Sequence, residues 1–451
     1  MNKTYAIYWD PTDHYHGDWQ TVIDGFFHNM GAVSGSYASV FAVDAQYTDK
    51  ANQRALFKSA FKGAYTDTDP YPASGCNDPH PLEGQDLIGA SIGKNAEGES
   101  EYEPVCLTDQ QIRQELETFI SQHSLRKGME TIFYILTPPG VTICLDGGGT
   151  TGHCSDFVGT VSEMEKAEVA RVTAEHNKEP YIESEDYKSY KDSFCSYHSD
   201  INPTNLATGD EDTILYGVVP WTAGGLGDGH LTPNDQATPA YDCQDGGYDP
   251  SAKPAGKHEA APDQQEPNQV KCPSQDGSCD TGLADLLVNQ IASEQEDIVT
   301  NPLLDAWQDP YGNEATDECR NWFAPVIGGA SAAQEGSDAG TLYNQVYGEG
   351  SYYLNSAFNL AAYKLPFPAV PCISGIRLEP LFTAPTTVNA NELVGFDGME
   401  SDITLNVGTA YTSNGHPQPS YTTYSWNFGD GTPVVTGQAP GAPSDNSPNV
   451  T

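Results

Sequence analysis

Between residues 282 and 322 the chain gathers its densest set of groups able to do chemistry. Leu283, Leu286, Leu287 and Ile291 recur at helical spacing, and the helix they mark runs to Val299 before Asn301-Pro302 stops it. On it sits Ser293-Glu294-Gln295-Glu296-Asp297. Positions 293 and 297 lie one turn apart on one face, with Glu294 beside them. Downstream, Tyr311-Gly312-Asn313-Glu314-Ala315-Thr316-Asp317-Glu318-Cys319 brings further carboxylates, among them Glu314 and Asp317. Carboxylates are hard oxygen donors that suit calcium. The same residues also read as the acidic, solvated face of a surface helix. His198, from another segment, is either a spare ligand or a structural hydrogen-bonder, and His14-Tyr15-His16 is a weaker metal candidate. Gly147-Gly148-Gly149 lacks the Gly-Lys-Ser/Thr string and the Rossmann spacing of phosphate cradles, and no Gly-x-Ser-x-Gly elbow appears.

The elements that must position these groups read as alternating strands and helices. Tyr5–Trp9 is a β-prone run ended by Asp10-Pro11. Asp18 occupies an N-cap position before Val22, Ile23, Phe26, Phe27 and Met30, five apolar groups on one helical face, with Gly31 as the stop. A second strand is expected near Ser39–Tyr47. Thr108 and Gln111 match a capping box, followed by the stripe Ile112, Leu116, Phe119 and Ile120. Thr131–Leu136 and Ile214–Val219 are continuous apolar strands, so βαβ units and a largely buried sheet are predicted. Two insertions interrupt this α/β (or α+β) region: a Glu/Lys-rich solvated helical satellite at 160–192, and a Pro/Gly/Asp/Gln-rich loop at 244–281.

Sixty-three acidic against 20 basic side chains give a formal charge of −43 over 451 residues. Such a chain does not replace the counterions of nucleic acid, and an anionic membrane surface repels it. Hydrophobic residues make up 37%, enough for real cores, and no apolar run approaches the ~18–20 residues of a membrane span. Ten scattered cysteines without a CxxC pair fit disulfides made in an oxidising compartment, and Cys272–Cys279 is spaced to close a small loop. The start, MNKTYAIYWD, has no signal n-region or apolar h-region, so a signal is expected to have been removed or to lie outside this chain.

After Cys372 the chain changes character. Phe382-Thr383-Ala384-Pro385 leads through Val394-Gly395-Phe396-Asp397-Gly398 to Trp426-Asn427-Phe428-Gly429-Asp430-Gly431. This resembles the PKD module, an immunoglobulin-like β-sandwich of extracellular proteins, with Trp426 and Phe428 as core and Gly429-Asp430-Gly431 as a hairpin turn. About two-thirds to three-quarters of a ~100-residue sandwich is present, so residues 374–451 are expected to be a truncated module.

Residues 1–373 resemble secreted bacterial relatives of the phosphate-induced/Exordium family. The resemblance rests on Thr300-Asn301-Pro302-Leu303-Leu304-Asp305-Ala306-Trp307 and Gly312-Asn313-Glu314 with Asp317 and Cys319. Cys106-Leu107-Thr108-Asp109, Thr137-Pro138-Pro139-Gly140-Val141 and Cys195-Ser196-Tyr197-His198-Ser199 fall in the same order. That family's His-Glu-x-x-Glu helix is similar to a zincin helix, which implies a zincin-like fold and a metal site. The resemblance places Ser293 at the first ligand position, Glu294 as general base, Asp297 as second ligand and Glu314 as third. Ser293 replaces the family's His, and the oxygen donors that remain suit calcium better than zinc. The resemblance therefore implies an extracellular or cell-surface protein with a degenerate metal site and a binding or structural role, its partner a protein or glycan. The alternatives are an active secreted metallopeptidase using Glu294, and a wall-associated or carbohydrate-binding protein whose tyrosines and tryptophans stack on sugar.

Overall fold

The computed structural model describes residues 1–11, 19–78 (apart from 37), 105–138, 141–149, 193–202, 212–220, 284–320 and 343–360 (apart from 349). Shorter stretches between these are also described, and beyond residue 375 the backbone pairing of short strands.

The protein is mixed α/β, with much sheet and few helices. Strand β1 (Asn2–Trp9) is followed by helix α1 (Trp19–Ala32), a 3-10 helix (Val40–Gln46) and β2 (Ser59–Asp67). The antiparallel pair β3 (Ser91–Lys94) and β4 (Ser100–Tyr102) precedes β5 (Val105–Thr108), α2 (Asp109–Gln122), β6 (Thr131–Leu136) and β7 (Val141–Cys144). Then come β8 (Tyr197–Ile201), β9 (Ile214–Val219), β10 (Gly247–Tyr248) and α3 (Ala284–Thr300). A short 3-10 turn (Asp317–Cys319) leads to β11 (Gln345–Tyr347), β12 (Gly350–Tyr353), β13 (Ala357–Phe358) and β14 (Cys372–Ile373).

The central sheet has the order β2-β1-β6-β9-β8. β2, β1, β6 and β9 run parallel, and β8 closes the edge antiparallel to β9. Alternation sorts each strand between two cores. Ala6, Tyr8, Ile132, Tyr134, Leu136, Leu215 and Val219 face a core shared with α1 and α3. Ile7, Trp9, Phe133, Ile135, Ile214, Tyr216 and Val218 face the other, shared with α2, β5 and β7. Burial on both faces is why β6 and β9 are continuous apolar runs. Gly217 in β9 lets α3 come close: a Cβ there would meet the Tyr134 ring at 3.0 Å and Ile298 at 3.5 Å.

The α1 stripe is buried as predicted, and Thr108 and Gln111 form the expected capping box. Two expectations fail. Residues 40–46 form a 3-10 helix, and the second strand is Ser59–Asp67. Val40 through Ala45 are all buried, so the continuous apolar run reflects a tight segment enclosed on all sides, not a pleated face. The acidic stretch of α3 is not a solvated face either, because Glu294, Glu296 and Asp297 are at most 8% exposed.

Disulfides join Cys76–Cys106, Cys144–Cys154 and Cys319–Cys372. Each typically contributes ~2–4 kcal/mol by restricting the unfolded chain. No described cysteine is free; Cys272 and Cys279 lie outside the described residues, as do Asp18, His14, His16, most of 160–192 and nearly all of 244–281. Beyond residue 375 the strands pair antiparallel, Thr423–Trp426 with Val435–Gln438 among them, while Phe428 and the expected turn at 429–431 fall outside the described residues. Among the described residues no helix is long and apolar enough to cross a membrane.

Candidate functional site

Helix α3 packs against α1, β9, β8 and the 3-10 helix at 40–46. From Leu287 to Thr300 only Ser293 and Val299 are even partly exposed. On a helix so enclosed each polar group left unpaired costs about 1–3 kcal/mol. Gln295 finds one in Tyr134, whose hydroxyl donates to Gln295 Oε1 at 3.0 Å. Asp297 accepts from the Thr316 backbone N–H at 3.1 Å and from the Thr316 hydroxyl. Its carboxylate thereby anchors the turn after α3.

Glu294 meets His198. Register places His198 on β8 opposite Gly217, beneath α3. Its Nδ1 is 3.1 Å from Glu294 Oε2 and 3.6 Å from Glu314 Oε2, and its Nε2 is 3.1 Å from the Asn301 carbonyl. A carbonyl only accepts, so Nε2 carries a proton; a carboxylate facing Nδ1 holds a second there. Burial alone would lower the basicity of this ring. The hydrogen bond and charge of Glu294, with the charges of Glu314 and Asp297 behind it, outweigh that effect and push the pKa up to about 9. These effects favour the imidazolium form of the ring, which faces the carboxyl groups of Glu294 and Glu314. Burial raises Glu314 to about 7, against the lowering effect of His198 and Asn301. Asp297 is held well above the usual carboxylate range, first by burial and then by Asp317, Glu314 and Glu294.

Asn301 ties the site together and is fully buried. Its backbone N–H closes the end of α3 on the Asp297 carbonyl at 2.7 Å, and its carbonyl receives His198. Its side-chain amide donates to Glu314 Oε1 at 2.6 Å and accepts from the Ala306 N–H at 2.6 Å. Asp317 Oδ2 accepts from the Glu314 N–H at 3.1 Å, and Arg320 Nη2 donates to Asp317 Oδ1 at 3.1 Å. The Cys319–Cys372 bridge fastens this turn to β14.

Of the residues singled out by sequence, His198, Glu294 and Glu314 come together. Asp297 and Asp317 lie alongside but are engaged in building the turn. Ser293 contributes nothing to the cluster: its Oγ is buried with no hydrogen-bond partner. Among the described residues, two groups bring three or more His, Cys, Asp or Glu ligand atoms within 4.8 Å of one another, Cys76–Cys106–Cys144 and Asp67–Asp69–Glu115. The His198 set is neither of them, and the three cysteines are spent in disulfides.

Sequence reasoning missed Asn301 and Thr316 as site residues. Both sit inside quoted motifs, and an Asn directly after a helix and before Pro was the available signal. It also missed Asp44, which lies in the 3-10 helix at 1% exposure with both carboxylate oxygens unpartnered, and did not foresee that Glu296 Oε2 is buried without a partner. Burial, compounded by Asp297 for Asp44 and by Asp44 and Asp297 for Glu296, raises both carboxyls well above their ordinary values.

No family model, curated protein or solved structure matches this chain.

Proposed function

We propose that this chain is an extracellular or cell-surface protein with a binding or structural role, built on a zincin-like frame whose metal site is degenerate. The observation that carries this reading is the position of His198, between Glu294 and Glu314 with its far nitrogen on the Asn301 carbonyl. An imidazolium there supplies the positive charge that a metal ion supplies in an active site of this type, and no ion is needed to balance the two carboxylates. Ser293, at the position the resemblance assigns to the first ligand, offers a neutral hydroxyl, a poor ligand for zinc. Extracellular placement draws its support from the three disulfides.

Elemental analysis of the purified full chain, before and after dialysis against a chelator, tests this. The expected result is no stoichiometric zinc at neutral pH and no change in melting temperature on chelation. One zinc per chain would overturn it.

One observation favours a second reading, an active metal-dependent peptidase with Glu294 as general base. Ligating histidines commonly donate their other ring nitrogen to a backbone carbonyl, as His198 does to Asn301. On this reading Asp297, Glu314 and His198 would hold a zinc ion that would activate water for Glu294, and cleavage of a general protein substrate would be chelator-sensitive and lost in Glu294→Gln. Absence of cleavage under zinc, calcium or manganese supplementation counts decisively against it.

A further inference from the structure

A second acidic cluster lies at the end of β2, next to α2 and on the face of the sheet opposite α3. The segment after β2 is pinned in place. The Asp10 N–H donates to the Asp67 carbonyl at 2.9 Å, the Trp9 indole N–H to the Asp69 carbonyl at 2.9 Å, and the Tyr71 hydroxyl to the Trp9 carbonyl at 2.6 Å. Asp67 and Asp69 are thereby set against Glu115 of α2, with one carboxylate oxygen from each residue within 4.8 Å of the other two. Oxygens bound to one calcium ion at ~2.4 Å must lie within about 4.8 Å of each other, and this cluster meets that condition.

The second observation is that the cluster holds unpartnered oxygens that water does not reach. Asp67 is 3% exposed, and its Oδ2 has no hydrogen-bond partner; Glu115 Oε1 is buried and equally unpartnered. Asp67 and Glu115 can bond each other only while one of them keeps a proton. Asp67 Oδ1 accepts from the Asp69 N–H at 2.9 Å, and Gln122 Nε2 donates to Asp69 Oδ2 at 3.4 Å. Burial raises Asp67 to about 6, offset in part by the Asp69 N–H, a side-chain hydrogen bond with Glu115 and the His123 charge; burial, the charges of Asp67 and Asp69 and that same hydrogen bond raise Glu115 to about 7. Apposed carboxylates of this kind require something positive between them, either a shared proton or a cation.

We propose that Asp67, Asp69 and Glu115 form a calcium-binding site that clamps the end of β2 to α2. The donor set is all oxygen, which selects a hard cation over zinc or copper. Asp69 and Glu115 are half-exposed, so water completes the six to eight ligands that calcium takes. The site shares no residue with the His198 cluster and does not depend on its reading.

Calorimetric titration of the chelator-treated full chain with calcium chloride, in 150 mM salt to suppress diffuse binding to an acidic surface, is the direct test. The expected result is one site in the 10⁻⁴–10⁻³ M range of extracellular calcium modules, with at least tenfold weaker binding in Glu115→Gln. Melting temperature should rise with calcium in the parent and not in the variant. Asp69→Asn, at a half-exposed position, provides the same test should Glu115→Gln fail to fold. No calcium response in the parent would mean that a shared proton is all the cluster holds, and an equal response in parent and both variants would place calcium elsewhere; either result overturns the proposal.

Discussion

His198, which the sequence leaves open as a spare ligand or a structural hydrogen-bonder, bonds Glu294 through one ring nitrogen and the Asn301 carbonyl through the other. Buried between Glu294 and Glu314, its Nδ1 faces two carboxyl groups at 3.1 and 3.6 Å. Glu294 supplies both the hydrogen bond and the largest of the charge effects that keep the ring protonated, against burial. Glu294→Gln should therefore lower the His198 pKa from about 9, since burial is then opposed only by Glu314 and Asp297. Ring nitrogen NMR across pH 5–10, with the resonance assigned by its loss in His198→Gln, reads this directly; an unchanged pKa would mean that Glu314 holds the proton. Asn301 presents the complementary case. Asn301→Ala removes the donor to Glu314 Oε1 and the acceptor for the Ala306 N–H, two hydrogen bonds at a partly buried carboxylate and an exposed turn. At about 0.5–1.5 kcal/mol net for each lost hydrogen bond, a loss of about 1–3 kcal/mol is expected by denaturant unfolding. A loss under 1 kcal/mol would show that water reaches the cluster.

At the scale of elements, α3 and the 3-10 helix at 40–46 pack their least compatible residues against each other. Asp44 and Glu296 are each 1% exposed and carry unpartnered oxygens. Each raised carboxyl disfavours folding as pH climbs above its unfolded value, because the native state must either keep the proton or bury a charge. Asp44→Asn removes that penalty with little change of shape. The variant should be more stable than the parent at pH 7.5 by about 1 kcal/mol or more, one pKa unit being worth 1.36 kcal/mol, with the advantage shrinking toward pH 4. A less stable variant at pH 7.5 would indicate that the Asp44 carboxylate is held by a partner such as a bound cation. The same pair of elements marks the limit of what was legible in the sequence. Strands β6 and β9, the α1 stripe and the Thr108–Gln111 cap were readable because periodicity and capping are local signals. The 3-10 helix was misread because six consecutive buried residues carry no period. The burial of α3 was invisible because acidic residues read as solvated, and only the tertiary placement of Thr316 and His198 accounts for Asp297 and Glu294, as that of Tyr134 does for Gln295. The contact between Asp67 and Glu115 joins an edge strand to a helix about fifty positions later, and nothing in the spacing announces it.

For the whole molecule, these local effects share one sign. Asp67 at about 6, Glu115 and Glu314 at about 7 and His198 at about 9 all have native pKa values above those of the unfolded chain. In each case the native state binds more protons than the unfolded state between the two values, so stability falls as pH rises through that window. The carboxyls set the window from about 4 to about 7, and His198 extends it from about 6.5 to about 9. The formal charge of −43 acts in the same direction, since raising pH adds negative charge to a surface that already repels itself. Melting temperature should therefore decline steadily from pH 5 to pH 9 in low salt. Added sodium chloride should raise it at every pH by screening surface repulsion, while leaving the slope above pH 7 largely intact, because the His198 cluster is buried and poorly screened. Repeating the series with Glu294→Gln separates the two causes: the slope between pH 7 and 9 should flatten in the variant at high salt. A parent profile that is flat or rising from pH 6 to pH 9 would show that His198 is neutral in the folded protein, and with it the ion-paired site would fall.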